Sequence, residues 1–224
     1  MSPDARLPAA PPRSGRADPD EIEVVLFDVG GVLLEVHGIA VLLEWFEHRV
    51  TPEEVWRLWF ASPTARAFES GRIGADEFAA GMLAELRLDM TPSAFLDSFI
   101  TWPARLYPGA LELITRIPSR YRRAVLSNTN ALHWPRVVGE LGLGEGLFEQ
   151  CFTSHLMGKI KPDAQAFEHA IEALACEPSR IVFLDDNLVN VDAAQSLGLR
   201  AVQVRGLAET RRALEELRIL ESES

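Results

Sequence analysis

Ile22-Glu23-Val24-Val25-Leu26-Phe27-Asp28-Val29-Gly30-Gly31-Val32-Leu33-Leu34 is the stretch that decides the fold. Its β-branched and apolar residues suit a strand buried in a parallel sheet, and the run halts at one aspartate and two glycines. An ionised carboxylate at the carboxyl end of a buried strand is costly unless a cation or hydrogen-bond donors meet it there. That end of a strand is also where open α/β sheets bind ligands. Asp28 is therefore a candidate nucleophile or metal ligand, against the plainer reading of an Asp that caps the next helix.

Beyond Leu34 the pattern turns helical. His37 to Val50 carries Ile39, Leu42, Leu43 and Phe46 at helical spacing. Thr51-Pro52-Glu53-Glu54 reads as an N-cap, a first-position proline and an acidic first turn, and the helix that follows brings Val55, Trp56, Leu58, Trp59 and Phe60. Ser70-Gly71-Arg72-Ile73-Gly74 breaks the chain, Ala75 to Leu86 resumes it, and Thr91-Pro92 opens a helix through Phe99. Residues 37–106 thus form an all-helical block of about four helices, expected as an inserted lid whose core holds Trp45, Trp56, Trp59 and Trp102.

From Tyr107 onward strands and helices alternate. Expected strands are Arg123–Leu126, Gln150–Thr153, Ile181–Leu184 and Arg200–Val204. Expected helices run to Ile117, over Leu132–Leu141, Asp163–Ala175 and Val191–Leu197, and at the C-terminus. Such alternation implies parallel strands with right-handed crossovers. The expected fold is α/β, a doubly wound, Rossmann-like parallel sheet on residues 21–36 and 107–224, interrupted by the helical block. Residues 1–20 hold five of the 14 prolines together with Arg6, Arg13 and Arg16 but no apolar core, and read as a disordered leader rather than a secretory signal.

Composition narrows the partners. A formal charge of −11 argues against nucleic acid, whose phosphates demand clustered Lys and Arg, and no apolar run approaches the ~20 residues of a membrane span. Cys151 and Cys176 lack any CxxC or paired-His spacing, so zinc is not expected and a reduced, cytoplasmic setting is. Of 22 basic residues only Lys159 and Lys161 are lysines. An ammonium is a compact point charge and a guanidinium a planar fork, so lysines retained in an arginine background suggest a site that needs the former.

Four strand ends or loops present polar groups: Asp28, Ser127-Asn128, Lys161 and Asp185-Asp186. In a parallel sheet these lie on one edge and converge. Each alone could be a cap, a turn or a solvated charge. Together, three carboxylates at one edge repel one another unless a divalent cation joins them, and an all-oxygen ligand set favours Mg²⁺ over zinc. The Ser127 hydroxyl, the Asn128 amide and the Lys161 ammonium could donate to a phosphoryl group. Asp28 could then attack it, with metal and lysine offsetting the repulsion between anions.

The order Asp28, Ser127, Lys161, Asp185-Asp186 resembles the four motifs of the haloacid dehalogenase superfamily, and an insertion just after the first motif resembles its helical C1 cap. Phe27-Asp28-Val29-Gly30-Gly31-Val32-Leu33, Leu126-Ser127-Asn128-Thr129-Asn130, Lys159-Ile160-Lys161-Pro162-Asp163 and Phe183-Leu184-Asp185-Asp186-Asn187 look most like bacterial sugar-phosphate phosphatases of the glucose-1-phosphate kind. They also resemble the N-terminal phosphatase domain of soluble epoxide hydrolase. The resemblance implies Asp28 as nucleophile and metal ligand, the Gly30 carbonyl on Mg²⁺, and Ser127 and Asn128 on phosphate. It implies Lys161 between phosphate and nucleophile, and Asp186, with Asp185 behind it, on the metal. The expected substrate is a small phosphorylated metabolite, and the expected state a monomer or homodimer.

One departure stands out. Most phosphatases of the superfamily carry a second Asp two positions after the nucleophile, as general acid and base; here that position is Gly30. Such help is typically worth about 10²–10⁴-fold. Its absence favours leaving groups that need less protonation, or a substitute; Glu35 and His37 are nearest in sequence. Arg66, Arg72 and Arg105 are candidates for contact with a sugar or second anionic group, and His133, His155 and His169 read as ordinary loop and helix residues. Two rival readings are a metal-independent 2-haloacid dehalogenase, which leaves Asp185-Asp186 unexplained, and a catalytically weak phosphate- and metal-binding protein. A signalling receiver domain is ruled against by the order of its acidic pair and its lack of a helical insert.

Overall fold

The Val24–Phe27 run does form a fully buried strand, β1, in a computed structural model that describes residues 21–144 and 146–221. The leader expected over 1–20 lies outside those residues. β1 leads to a short strand β2 (Leu34–Val36) and to helices α1 (Gly38–Trp45), α2 (Pro52–Ala61), α3 (Pro63–Glu69), α4 (Ala75–Leu86) and α5 (Pro92–Phe99). The chain returns through β3 (Pro103–Leu106) to α6 (Ala110–Arg116), β4 (Arg122–Ser127) and α7 (His133–Pro135), which continues as a π-turn over Arg136–Glu140. There follow β5 (Gln150–Thr153), α8 (Ser154–Met157), α9 (Ala164–Leu174), β6 (Ile181–Asp185), α10 (Leu188–Ser196), β7 (Arg200–Gln203) and α11 (Gly206–Glu216).

Five strands form a parallel sheet in the order β5-β4-β1-β6-β7. β1 is central, so the connections diverge on either side of it, and the crevice at such a switch point is where doubly wound folds bind ligands. Side chains of β1 alternate between two cores. Val25 and Phe27 join Leu113, Ile114 and Leu214 on one face; Val24 and Leu26 join Phe167, Ala170 and Val191 on the other. Burying a side chain of this size stabilises by roughly 1.5–3 kcal/mol, so this strand anchors both layers and fixes where Asp28 emerges.

The insertion has its own core of Leu42, Phe68, Phe78, Met82, Phe95, Phe99 and Trp102. It differs from the sequence reading in four respects. It has five helices rather than four, because Pro63 keeps Ser62 out of the helical region (ψ 115°) and the Ser62 hydroxyl accepts from the Ala65 amide to start α3. The first helix ends at Trp45 instead of Val50, and Glu47 and His48 follow with positive φ. Trp45, Trp59 and Trp102 pack with the core, but Trp56 is 46% exposed and stacks on exposed Phe60. β2 and β3 form an antiparallel pair at the neck of the insertion, which the sequence reading had not included.

Candidate active site

β1, β4 and β6 end together, and the loop before α9 reaches across to them. The ammonium of Lys161, buried on this loop, lies 2.9 Å from Asp28 Oδ1 and 2.6 Å from Asp185 Oδ2. Asp28 is nearly buried and Asp185 wholly so. A buried ion must find donors for its remaining lone pairs, and Asp185 does. The Asn187 amide donates to Oδ1 at 2.8 Å, and the Asn190 side-chain amide reaches both oxygens at 3.1 Å. The sequence reading missed Asn190. Its signal is an Asn in the first turn of α10, which Asn187 caps through Val189.

Asp186 completes the acidic set. One carboxylate oxygen from each of Asp28, Asp185 and Asp186 fits within 4.8 Å of the others. At that spacing two charged carboxylates repel by roughly 3–4 kcal/mol at an effective dielectric near 20. Burial, with Asp28 and Asp185 beside it, pushes the Asp186 carboxyl up to about 7, although Lys161 opposes the shift. Burial likewise raises Asp28 to about 6, Lys161 pulling it down and Asp185 pushing it up. Burial works against the Lys161 charge, but Asp185 and Asp28 outweigh it, and the ammonium is held above its ordinary range. Lys161 alone does not neutralise three carboxylates. An all-oxygen cluster that resists its own ionisation fits a hard divalent cation such as Mg²⁺.

The glycine turn gives this cluster its room. Gly31 has φ +72°, and a Cβ there would sit 2.2 Å from Asp186 Oδ2; only glycine allows both the backbone conformation and the approach. The Gly31 carbonyl accepts from the Gly206 amide at 2.7 Å, and Gln203 Nε2 donates to the Asp186 carbonyl at 2.9 Å, tying the first loop to the start of α11 and the second to β7. At Gly30 a Cβ would meet Val36 Cγ2 at 3.1 Å, so an apolar side chain borders this position.

Ser127 is buried at the tip of β4, and Asn128 follows it. The sequence reading assigned Asn128 a role through its main-chain amide. The structure adds a side-chain role: Asn128 Nδ2 donates to the Lys161 carbonyl and Oδ1 accepts from the Lys161 amide, both at 2.9 Å. Next to it, the Ser154 hydroxyl accepts from the Thr129 amide at 2.9 Å and lies 2.8 Å from the Thr129 carbonyl and 2.6 Å from the Glu69 carbonyl. The strand-end loop is thereby bound to the end of α3.

The remaining candidates divide. Glu35 pairs with Arg105 at 3.1 Å across β2–β3, and its carboxyl is held below the usual range, chiefly by that hydrogen bond. That pairing engages the carboxylate at the neck of the insertion. His37 lies 3.4 Å from the same carboxylate, at the start of α1. Arg66 pairs with Asp163 across the seam between insertion and sheet, and Arg72 donates to Ser70 Oγ at 2.9 Å.

His133 is no ordinary helix residue. It stacks on Phe99, with ring centroids 4.1 Å apart, and its Nε2 lies 2.7 Å from the Phe99 carbonyl. Asn130 Oδ1 accepts from the Leu132 and His133 amides, which turns its NH₂ toward His133 Nδ1 at 3.1 Å. Nδ1 is then the acceptor and Nε2 the donor. Burial lowers this imidazole to about 4, so it latches insertion to sheet in its neutral form.

A family model for haloacid dehalogenase-like hydrolases matches residues 22–198, and the chain belongs to that family. It is 26% identical over 204 residues to a D-ribitol-5-phosphate phosphatase of Bacteroides thetaiotaomicron, covering 86% of this chain and 97% of that one. It is 28% identical over 196 residues to (S)-2-haloacid dehalogenase 2 of a Pseudomonas species, with coverages of 82% and 84%. Mouse acyl-CoA dehydrogenase family member 10 is 27% identical over 190 residues, covering 80% of this chain, but the chain spans only 18% of its length. A Bacteroides thetaiotaomicron enzyme of the same family, solved with magnesium and inorganic phosphate, superposes with a TM-score of 0.67 at 22% identity. It covers 82% of this chain and 94% of its own.

Proposed function

We propose that this protein is a Mg²⁺-dependent phosphatase that hydrolyses a small phosphorylated metabolite through an aspartyl-phosphate on Asp28. The observation that carries the reading is the Lys161 ammonium between Asp28 and Asp185, beside a third carboxylate. Mg²⁺, when bound, would offset the phosphate charge as an electrophile, held by Asp28, Asp186 and the Gly30 carbonyl. Both oxygens of Asp185 are engaged by Lys161, Asn187 and Asn190, so it orients the lysine from behind.

In the first step Asp28 forms a bond to phosphorus as the bond to the leaving oxygen breaks. Ser127, the Asn128 amide and Lys161 hold the equatorial oxygens and stabilise their charge. Water then attacks the acyl-phosphate, releasing inorganic phosphate and restoring the Asp28 carboxylate. With Gly30 beside Val36, no side chain at that position protonates the leaving oxygen. Esters of good leaving groups, such as an anomeric or aryl oxygen, are the preferred substrates on this reading. The D-ribitol-5-phosphate phosphatase relative supports a sugar-like frame, but its named substrate is a primary-alcohol ester, the class the leaving-group argument disfavours. The helical insertion would act as the cap that selects among them.

The test is release of phosphate from p-nitrophenyl phosphate with and without Mg²⁺. Turnover should require the metal and vanish in Asp28→Asn. Absence of turnover on any activated ester would leave the binding-protein reading. The dehalogenase reading has the Pseudomonas relative in its favour but makes no use of Asp186; metal-independent chloride release from 2-chloropropionate would establish it.

A further inference from the structure

Lys159 is the lysine that the catalytic site leaves unused. It lines a separate cavity of about 130 Å³ at the seam between insertion and sheet, together with Arg66, Ser70, Arg72, Asp163 and Gln165. Three cations thus face a single carboxylate in a chain whose formal charge is −11. Asp163 is already paired with Arg66. Among the described residues neither Arg72 nor Lys159 pairs with a carboxylate; Arg72 is instead oriented by its 2.9 Å bond to Ser70. The first turn of α9 opens beside this cavity, and Asp163, at its N-cap, makes no side-chain capping bond. Its amides add to the same positive field.

We propose that this cavity is a second anion site, apart from Asp28, that binds a small oxyanion of the phosphate class. The volume falls below the few hundred Å³ of a drug-sized pocket and suits a small oxyanion. Arginine offers a planar fork and lysine a point charge, the combination that oxyanions take up. The two ends of the site belong to different parts of the fold. Arg66 and Arg72 come from α3 and the turn after it, while Lys159 lies two residues before the catalytic lysine. An anion seated here draws the insertion toward the loop that carries Lys161. The oxyanion is either free phosphate or the second charged group of a ligand held at Asp28. The site stands whether or not the protein turns over phosphate esters.

The experiment is amide chemical-shift mapping of the ¹⁵N-labelled full chain during titration with inorganic phosphate in metal-free buffer. A parallel titration with Mg²⁺ uses 3-phosphoglycerate, a ligand with two anionic groups. The expected result is a saturable shift of Arg72, Gly158, Lys159 and Gln165, weakened at least tenfold in the Arg72→Ala/Lys159→Ala double variant. Both positions line an open cavity rather than the core, so the variant should keep the wild-type spectrum elsewhere. Shifts with phosphate alone identify free phosphate as the occupant. Shifts only with 3-phosphoglycerate, together with Ser127 and Asn128, identify a ligand's second charge. If neither compound moves these amides, or the double variant titrates as wild type does, the proposal is overturned.

Discussion

Asn128→Ala tests whether the strand-end loop acts through its side chain. The asparagine makes two reciprocal hydrogen bonds to the main chain of Lys161, each 2.9 Å long. A net ~0.5–1.5 kcal/mol per bond gives about 1–3 kcal/mol of lost stability. For a chain of this size each kcal/mol is worth roughly 2–4 °C of Tm, so a fall of about 4–8 °C is the central expectation. The larger effect is positional. Lys161 is held between Asp28 and Asp185 at 2.9 and 2.6 Å, and a displacement near 1 Å in such a site costs on the order of 10²-fold in rate. Thermal unfolding and steady-state hydrolysis of p-nitrophenyl phosphate with Mg²⁺ read the two effects separately. Asn128→Asp keeps the acceptor for the Lys161 amide but faces the Lys161 carbonyl with a second acceptor, and should also lose rate. Wild-type kcat in Asn128→Ala would refute the argument, since the main-chain amide alone would then suffice.

Other perturbations follow from the same contacts. Lys161→Met leaves Asp28 and Asp185 without their cation and should destabilise by about 3–5 kcal/mol, read by urea unfolding; a loss below 1 kcal/mol contradicts the ion-pair geometry. Gly31→Ala forces a Cβ into Asp186 Oδ2 at positive φ and should weaken Mg²⁺ binding at least tenfold by calorimetry, with unaltered affinity refuting the cradle. Burial raises Asp186 to about 7 and Asp28 to about 6, so the metal-free folded state binds more protons than the unfolded chain between about pH 4 and 7. Stability of the metal-free protein should therefore fall as pH rises through that window, and the Tm gained on adding Mg²⁺ should be larger at pH 7.5 than at pH 5.5; an equal gain contradicts it. Burial, offset by the Trp59 Nε1 bond, also raises Glu69 to about 7. Glu69→Gln should be relatively more stabilising at pH 8 than at pH 5, measured by denaturation at both values.

The parallel core was legible because its signals are local. β1 is an apolar run ended by Asp28, and β4 and β6 end in the polar pairs Ser127-Asn128 and Asp185-Asp186. The elements that the sequence did not show depend on distant partners. β2 and β3 are strands of three and four residues, and they pair only when the two ends of the insertion bring Leu34 to Leu106 and Glu35 to Arg105. Trp56 and Trp59 are equally aromatic, and only packing shows that Trp59 meets Phe78, Phe99 and Trp102 while Trp56 lies outside. In the site, charged groups at strand ends announced themselves, whereas their supports did not. Asn128 and Asn190 are short polar residues that sequence alone assigns to turns or caps. Their bonds to Lys161 and Asp185 exist only once β4, β6 and the loop before α9 are side by side.

The central place of β1 also sets a timetable. Val24 pairs with Arg122 on one side and Ile181 on the other, so the first core strand to be made keeps an open edge until β6 is made. At a synthesis rate of about 5–20 residues per second, the ribosome needs roughly 10–30 s to reach the second neighbour after making Val24. Throughout that interval the nascent chain carries an apolar strand with an open edge, the hazard that slow, non-local parallel pairing creates. The helical insertion, whose core is drawn wholly from residues between the first two core strands, can condense while β1 waits.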